Sequence, residues 1–235
     1  MPAESHMQGW INWLAGCLLP LRCRICAQPG ADDLDLCQAC HGAAQRNLSA
    51  CPGCALPLPQ AAGALCGHCQ RRPGRLLACH AAWCYGPTID VLVRRYKFDN
   101  DLAAGAVLAG LMSQLPPPWL SGQVLVPVSL HRQRLAQRGY DQAHELATQL
   151  GRATGLPVMA CLQRCRNTAA QSALDRKQRR RNLRGAFTVT AAALPASVIL
   201  VDDVMTTGAT LEAAAQALQR AGVEQVRAWV AARTV

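Results

Sequence analysis

The chain has 235 residues, a formal net charge of +10 at pH 7 and an apolar content of 51%. This apolar content supports a sizeable core and excludes a chain that is disordered along its whole length. No stretch reaches the roughly 18 to 20 apolar residues of a membrane-spanning helix, so we expect a cytoplasmic protein. Arginine carries nearly all of the positive charge, which favours phosphate-rich partners such as nucleotides or nucleic acid.

The first predicted element is an amphipathic helix within residues 1–22. Apolar residues recur there at helical spacing, at Trp10, Trp13, Leu14, Cys17 and Leu18, which predicts a single apolar face. We expect this helix to pack on the rest of the protein, with contact to a membrane or a partner as the alternative.

Four Cys-x-x-Cys pairs follow, separated by spacers of ten, ten and eleven residues. The last two pairs repeat the first two at offsets of 28 and 29 residues, so one unit of two cysteine knuckles occurs twice. Two knuckles provide four thiolates, which complete a tetrahedral zinc site with no open position for catalysis. The repeat predicts a double zinc ribbon over residues 23–73 with two structural zinc sites, formed by Cys23, Cys26, Cys37 and Cys40 and by Cys51, Cys54, Cys66 and Cys69.

The spacing leaves the pairing of the knuckles open, because a cross-braced arrangement would join Cys23 and Cys26 to Cys51 and Cys54. Large apolar residues are sparse in this segment, so metal binding has to supply much of its stability. The residue pattern of the sequence changes near residues 70–76, where we expect a domain boundary.

Residues 76–235 alternate between strand and helix patterns, which predicts an α/β domain with a mostly parallel sheet. An extended stretch begins at residue 79, and Pro116 to Pro118 end the second helix. The predicted helices lie near residues 89–98, 102–115, 141–154 and 207–221, and the predicted strands at residues 123–128, 158–162, 197–201 and 225–231.

Residues 124–147 run from a buried strand through an arginine-rich loop into a helix that Asp141 can cap. Arginine offers permanently charged, fork-shaped donors that suit phosphate oxygens. The loop is therefore a candidate pyrophosphate site, with a solvated basic loop as the alternative. Its candidate residues are Ser129, Arg132, Arg134 and Arg138.

Residues 164–187 contain eight basic residues and a single acid, Asp175. We interpret this segment as a mobile basic arm that either closes over a bound ligand or follows a nucleic-acid backbone, with a solvated helix face as the third alternative. Aromatic stacking platforms are nearly absent from it, so the case for nucleic acid depends on charge alone. The basic residues are Arg164, Arg166, Arg176, Lys177, Arg179, Arg180, Arg181 and Arg184.

The most informative segment is VILVDDVMTTGATL at residues 198–211. A buried parallel strand leads into Asp202 and Asp203, and a threonine- and glycine-containing turn then opens a helix. Adjacent carboxylates can accept hydrogen bonds from a ribose diol, and the free N–H groups of a helix start favour a phosphate. The order of residues therefore predicts a sugar-phosphate site, whereas a P-loop or dinucleotide glycine pattern is missing.

This segment resembles the phosphoribosyl pyrophosphate (PRPP) motif of type I phosphoribosyltransferases. The resemblance assigns the ribose hydroxyls to Asp202 and Asp203. It assigns the 5′-phosphate to Thr206, Thr207, Gly208, Ala209 and Thr210.

Nearly the whole chain resembles the ComF family of bacterial competence proteins. The marks are CRIC, CQAC, CPGC, CGHC, YKFDN, RGYDQAHELA, TAAQSALDRKQRRRN and VDDVMTTGAT. The resemblance implies a type I phosphoribosyltransferase fold preceded by a double zinc ribbon, PRPP bound with Mg²⁺, and a part in handling single-stranded DNA during natural transformation. RGYDQ differs from the usual RGFNQ at Tyr140 and Asp141, which places an acid beside the candidate pyrophosphate loop.

Three functions follow from these expectations. The first is a PRPP-binding protein that handles DNA, with competence or DNA-processing proteins as expected partners. The second is an active amidophosphoribosyltransferase-like enzyme with an unidentified acceptor, and the third is a regulator that senses PRPP without turnover. If it is an enzyme, the resemblance implies departure of Mg²⁺-bound pyrophosphate from C1 of the ribose, with the acids orienting the sugar rather than attacking it.

Overall fold

The structure is a computed structural model that describes residues 20–59, 63–165 and 185–235. Nearly all of the predicted amino-terminal helix, and the basic arm beyond Arg164, lie outside these residues. The described helices are α1 (Gln38–Ala43), α2 (Gly67–Arg71), α3 (Pro87–Phe98), α4 (Leu102–Gln114), α5 (Arg132–Arg138), α6 (Gln142–Thr154) and α7 (Ala209–Arg220). The described strands are β1 (Ala78–Cys84), β2 (Val124–Pro127), β3 (Leu162–Arg164), β4 (Phe187–Val189), β5 (Ser197–Met205) and β6 (Gln225–Arg233).

Four strands form a parallel sheet in the order β1-β6-β5-β2. The carboxyl ends of all four strands therefore meet at one edge, and β5 lies in the middle of the sheet. Strands β3 and β4 form a separate antiparallel pair, and the basic segment connects them. The predicted parallel α/β sheet is confirmed.

Alternation along β5 divides the core between the two faces of the sheet. Ile199 and Val201 pack on the same side as α3, α4 and α6, whereas Val198 and Leu200 pack on the side of α7. By the same alternation, Asp203 points toward the α3 side and Asp202 toward the α7 side. The two acids thus approach the edge of the sheet from opposite faces.

The zinc-ribbon segment packs directly on strand β1. The backbone of Asn47 donates to the carbonyl of Ala82 at 2.9 Å, and the backbone of Cys84 donates to the carbonyl of Gln45 at 2.9 Å. The buried side chain of Asn47 donates to the carbonyls of Ala55 and Ala81. The ribbon therefore extends the edge of the sheet rather than hanging from a free linker.

Two local predictions differ from the structure. The arginine-rich loop is instead a helix, α5, because the His131 side chain accepts from the backbone of Gln133 at 3.3 Å and caps it. Gly139, with a φ of 79°, then ends this helix in the left-handed conformation. The strand predicted at residues 158–162 is reduced to a single bridge between Val158 and Leu125, and the regular strand begins only at Leu162.

Within the described ranges, none of the helices combines the length and apolar character that crossing a bilayer requires.

Candidate functional site

Eight cysteines gather into two separate quartets. Within each quartet the sulfur atoms all lie within 4.8 Å of one another. The first quartet is Cys23, Cys26, Cys37 and Cys40, and the second is Cys51, Cys54, Cys66 and Cys69. The pairing is therefore sequential, and the cross-braced alternative is wrong.

The sulfur spacing fits zinc. The Sγ atoms of Cys26 and Cys37 are 3.5 Å apart, and those of Cys54 and Cys66 are 3.7 Å apart. Four sulfurs placed about 2.3 Å from a tetrahedral zinc ion are separated by about 3.8 Å, whereas a disulfide would need about 2.05 Å. All eight cysteines are free. Each quartet is thus a structural zinc site of the closed type.

A cleft of about 960 Å³ opens at the carboxyl edge of the sheet. We call it the main cleft. It brings together side chains from β5, the turn after β5, the segment after β2, α3, α5 and β3. The sequence-predicted site residues that line it are Ser129, Arg134, Arg138, Arg164, Asp202, Asp203, Thr206 and Thr210.

The two acids lie inside β5, which continues beyond the predicted strand end to Met205. Asp203 is 5% exposed, and its Oδ1 accepts from the backbone of Val204 at 2.5 Å. Asp202 is half-buried, and its Oδ1 accepts from the backbone of Asp203 at 2.9 Å. Both carboxyl groups are therefore held by the local backbone and face the main cleft.

Lys97, at the end of α3, forms an ion pair with Asp203. Its Nζ lies 2.8 Å from Asp203 Oδ2. A carboxylate as buried as this one needs a charged or hydrogen-bonding partner. Lys97 supplies that partner from a helix that begins more than a hundred residues earlier in the chain.

Asp202 has a different electrostatic environment. Burial, followed by the neighbouring charge of Asp203, raises the pKa of Asp202 to about 7, and the ammonium of Lys97 opposes this rise. A carboxyl group with such a pKa changes charge near neutrality. Its capacity to accept hydrogen bonds in the main cleft therefore depends on pH.

The turn at residues 206–210, which we call the TTGAT loop, connects β5 to α7. Gly208 adopts a φ of 75°, and the side chain of Met205 packs where a Cβ atom at this glycine would lie. Thr206 and Thr210 face the main cleft. Thr207, Gly208 and Ala209 line a second cleft of about 540 Å³, the rear cleft, together with Cys54 and Cys69. The predicted phosphate-binding residues are thus divided between two sides of the loop.

The guanidinium groups of Arg134, Arg138 and Arg164 converge on the main cleft. Burial and the charge of Arg138 lower the pKa of Arg134, and burial followed by the charge of Arg134 lowers the pKa of Arg164. Both shifts reflect the cost of crowding cations in a partly dry site. An anion bound among them would relieve that cost.

Two residues named as candidates lie elsewhere than expected. Arg132 is exposed and lies beside Gln163 of β3, outside the lining of the main cleft. Arg164 ends β3, is 9% exposed and lies over the ring of Phe187, so it belongs to the wall of the cleft rather than to an arm. The remaining seven basic residues, from Arg166 to Arg184, lie outside the described residues.

Asp141, the residue that departs from the usual family motif, has a structural role. Its Oδ1 accepts from the backbone of His144 at 3.2 Å and caps α6, as predicted. Its Oδ2 accepts from the backbone of Leu130 at 2.8 Å and so fixes the segment after Ser129. The carboxylate therefore fixes the backbone that leads into the arginine-rich segment.

Ser129 Oγ and Gln142 Nε2 are buried polar atoms of the main cleft that have no hydrogen-bond partner within the part of the chain that the structure describes. Gln142 is 3% exposed, and its Oε1 accepts from Arg138 at 3.0 Å, which leaves its amide N–H groups available. Buried polar groups without partners are rare and costly, so a water molecule or a polar ligand is the expected partner of this pair.

Sequence reasoning missed Lys97, Arg94 and Gln142, all of which line the main cleft. The signal for Lys97 was present, since it lies within the YKFDN motif that the family resemblance used. Its partner could not be deduced, because pattern analysis does not pair residues that are distant along the chain.

Comparisons with known proteins agree with this architecture. Residues 14–70 match the double zinc ribbon domain family, and residues 136–234 match the phosphoribosyl transferase domain family. The DNA utilization protein YhgH of Salmonella typhi is 31% identical over 234 residues, covering 92% of this chain and 99% of that protein.

Two further relatives carry competence names. Competence protein F of Haemophilus influenzae is 32% identical over 196 residues, covering 72% of this chain and 84% of that protein. Competence protein ComFC of Streptococcus pneumoniae is 28% identical over 199 residues, covering 83% of this chain and 86% of that protein. Because the similarity spans both cysteine quartets and the edge of the sheet that bears the acids, the chain belongs to the ComF family of double zinc ribbon and phosphoribosyltransferase-domain proteins.

Proposed function

We propose that the main cleft binds PRPP together with Mg²⁺, and that the protein uses this ligand while it handles single-stranded DNA. The observation that carries the proposal is the convergence of three chemistries in one cleft. Carboxylates, a threonine-rich helix start and crowded guanidinium groups all line it. PRPP presents a diol that suits the carboxylates, a 5′-phosphate that suits the helix start and a pyrophosphate that suits the guanidinium groups.

In the proposed complex, Asp202 and Asp203 accept hydrogen bonds from the ribose hydroxyls. The hydroxyls of Thr206 and Thr210 and the start of α7 bind the 5′-phosphate. Arg134 and Arg138, with Ser129 and Gln142, bind the pyrophosphate. The unpaired Ser129 Oγ and Gln142 Nε2 support this assignment, because both can donate hydrogen bonds to phosphate oxygens.

Lys97 gives Asp203 a fixed orientation before the ligand arrives. Because Asp203 Oδ2 already accepts from Lys97, the carboxylate enters the complex preorganised. Preorganised groups bind a ligand without losing side-chain freedom at the moment of binding. Mg²⁺ would enter with the pyrophosphate and neutralise part of its charge.

A part in DNA handling is supported by the names of the relatives and by the basic segment. These relatives are called DNA utilization and competence proteins. The segment that contains the basic residues connects β3 to β4 and starts at Arg164, on the wall of the main cleft. We propose that the arginines of this segment contact the single-stranded DNA.

Phosphoribosyl transfer is the second candidate. Guanidinium groups next to a ribose site can stabilise a departing pyrophosphate, which is the requirement for turnover. In that case the C1–O bond breaks and pyrophosphate leaves with its electron pair, while the lone pair of an acceptor nitrogen forms the new bond to C1 and that nitrogen releases a proton to solvent. The carboxylates of Asp202 and Asp203 would orient the ribose during this step.

Calorimetric titration of Mg²⁺-PRPP tests the proposal. The wild type should bind, and Asp202→Asn/Asp203→Asn should lose at least about 100-fold in affinity, since two charge-assisted hydrogen-bond acceptors are weakened. Glu224→Gln is the matched control, because Glu224 is an exposed acid before β6 at the other end of the sheet. It should bind PRPP like the wild type.

A pyrophosphate-release assay on the same samples separates the two candidates. Release that requires a nitrogenous acceptor and is lost in the double variant would establish transfer. Binding without release across a broad panel of acceptors would favour a ligand-sensing protein that handles DNA. A wild type that does not bind PRPP would refute the central proposal.

A further inference from the structure

Arg233, the last residue of β6, connects the second zinc site to the strand that leads into the TTGAT loop. It is 8% exposed. Its Nε donates to the carbonyl of Cys54 at 3.0 Å, and its Nη1 donates to the carbonyl of Met205 at 3.1 Å. One guanidinium group therefore joins a zinc-ligand knuckle to the final residue of β5.

The partners of Arg233 are backbone carbonyls and Thr234, and no carboxylate pairs with it in the described part of the chain. A buried guanidinium is costly unless its N–H groups meet acceptors, and here Nε and Nη1 donate to backbone carbonyls. Carbonyls are fixed points of the backbone. The arrangement thus links the position of Cys54 to that of Met205.

Met205 in turn supports the TTGAT loop. It lies opposite Arg233 in the β5-β6 ladder, and its carbonyl also accepts from the backbone of Thr234 at 3.1 Å. Its side chain packs against Gly208, and Cys79 Sγ lies 3.4 Å from Met205 Sδ. A shift of Met205 would therefore move Gly208 and the two threonines that face the main cleft.

The rear cleft also brings the second quartet close to the TTGAT loop. Cys54 and Cys69 of the second quartet line it together with Thr207, Gly208 and Ala209. The first quartet has different contacts. Its Cys40 carbonyl accepts from Thr88 at the start of α3, and no hydrogen bond joins that quartet to the TTGAT loop among the described residues.

We propose that the second zinc ribbon is a positioning element of the phosphate site, with Arg233 as the positioning residue that links them. Zinc bound to Cys51, Cys54, Cys66 and Cys69 fixes the Cys54 carbonyl. Arg233 transmits that position to Met205, and Met205 holds the TTGAT loop in the shape that receives the 5′-phosphate. This inference rests on the proposed PRPP site, and it adds that the second zinc site is the one that hydrogen bonds connect to the strand leading into the TTGAT loop.

Coupling between two binding sites is reciprocal. If zinc in the second quartet favours PRPP binding, PRPP must favour zinc in the second quartet to the same degree. The first quartet then serves as an internal reference within the same molecule. This reciprocity allows a test on the wild-type protein that needs no variant.

The test measures alkylation of each cysteine by mass spectrometry in the presence of a competing chelator, with and without Mg²⁺-PRPP. PRPP should slow alkylation of the second quartet by at least about fivefold, and that of the first quartet by less than about twofold. Arg233→Gln should retain both zinc ions, bind PRPP about tenfold more weakly and lose the difference between the quartets.

Arg227→Gln is the matched control. Arg227 lies on the same strand, but it donates to Ser197 at 3.1 Å at the opposite end of the sheet. This variant should keep both the PRPP affinity and the selective protection of the second quartet.

Binding of PRPP by the wild type is measured first by calorimetry, so the two proposals can fail separately. If the wild type binds PRPP but both quartets are protected equally, the positioning role is overturned and the PRPP site stands. The same holds if a folded Arg233→Gln variant binds PRPP with the affinity of the wild type. Absence of binding by the wild type overturns the PRPP site and this inference together. If Arg233→Gln does not fold, the comparison of the two quartets in the wild type decides whether the second zinc ribbon positions the phosphate site.

Discussion

The ammonium of Lys97 lies 2.8 Å from a carboxylate oxygen of Asp203 and ties α3 to the central strand of the sheet. Asp203 is the more buried partner, with a side-chain exposure of 8% against 25% for Lys97. The pair therefore lies at the boundary between the core and the main cleft. It joins the YKFDN motif to the acid pair, two segments that the sequence presents separately.

Replacement of Lys97 by methionine should destabilise the protein and weaken PRPP binding. The change keeps the length of the side chain but leaves Asp203 without its cation, and we expect a loss of about 1 to 2 kcal/mol after allowance for solvent screening at Lys97. Denaturant titration measures the loss. Lys97→Met in an Asp203→Asn background is the control, and there the cost should fall to near zero. Equal costs in both backgrounds would show that the ion pair contributes nothing.

The parts of the fold that local patterns determine were predicted from the sequence. The apolar run before Asp202 predicted the buried strand, and Asp141 predicted the start of α6. The cysteine spacing predicted two zinc sites, whereas the structure was needed to exclude the cross-braced pairing. In contrast, α5 was predicted as a loop, because its polar and basic sequence has no apolar face and its cap is an uncommon one, His131.

The candidate site was predicted only in part, for a physical reason. Motifs identify residues that a ligand would contact, such as Asp202 and Thr206. They do not identify residues that act through tertiary contacts, such as Lys97 and Arg233. The positions of those side chains depend on how distant strands and helices pack, which a single sequence does not reveal.

The affinity for PRPP should fall as the pH drops through 7. Asp202 has a folded-state pKa raised to about 7, so its carboxylate is mostly charged at pH 8 and mostly protonated at pH 6. Loss of the charged acceptor should weaken binding by about tenfold over this range. Calorimetry at both pH values measures the change.

Asp202→Asn is the control for that experiment, because PRPP itself also titrates. The variant should show only the dependence that belongs to the ligand, and the tenfold excess should appear only in the wild type. In the protein without ligand the sign is opposite. A carboxyl group whose pKa is raised by folding destabilises the folded state at high pH, so Asp202 should make the free protein more stable at pH 6 than at pH 8.

Gly208→Ala should damage the TTGAT loop specifically. A Cβ atom there would lie 2.4 Å from Met205 Cε, and the φ of 75° is unfavourable for alanine. We expect PRPP affinity to fall by at least about tenfold, because Met205 and the loop must both shift. Gly122→Ala is the matched control. Its φ of 62° carries the same backbone strain, but a Cβ atom there meets nothing within 4 Å. If both variants bind PRPP equally well, the shape of the loop does not limit binding.

Removal of zinc should unfold the ribbon segment before the sheet. The second quartet forms a small cluster with Leu56 and Leu58, which is too little apolar material to hold the segment without metal. A strong chelator should lower the free energy of unfolding by at least about 5 kcal/mol, and metal analysis should find two zinc ions per chain before treatment. Retention of the native circular dichroism and thermal midpoint after complete zinc loss would contradict this expectation.

Binding of single-stranded DNA should depend on salt through the basic segment. Arg179, Arg180 and Arg181 lie outside the described residues, so this prediction rests on charge. If each arginine contacts one phosphate, replacing all three with alanine should reduce the slope of log affinity against log salt by about 2, at roughly 0.7 per contact. Arg152→Ala, at an exposed position near the end of α6, is the control and should leave the slope unchanged. Fluorescence anisotropy over a range of salt concentrations measures both. An unchanged slope in the triple variant would show that these three arginines do not contact the DNA.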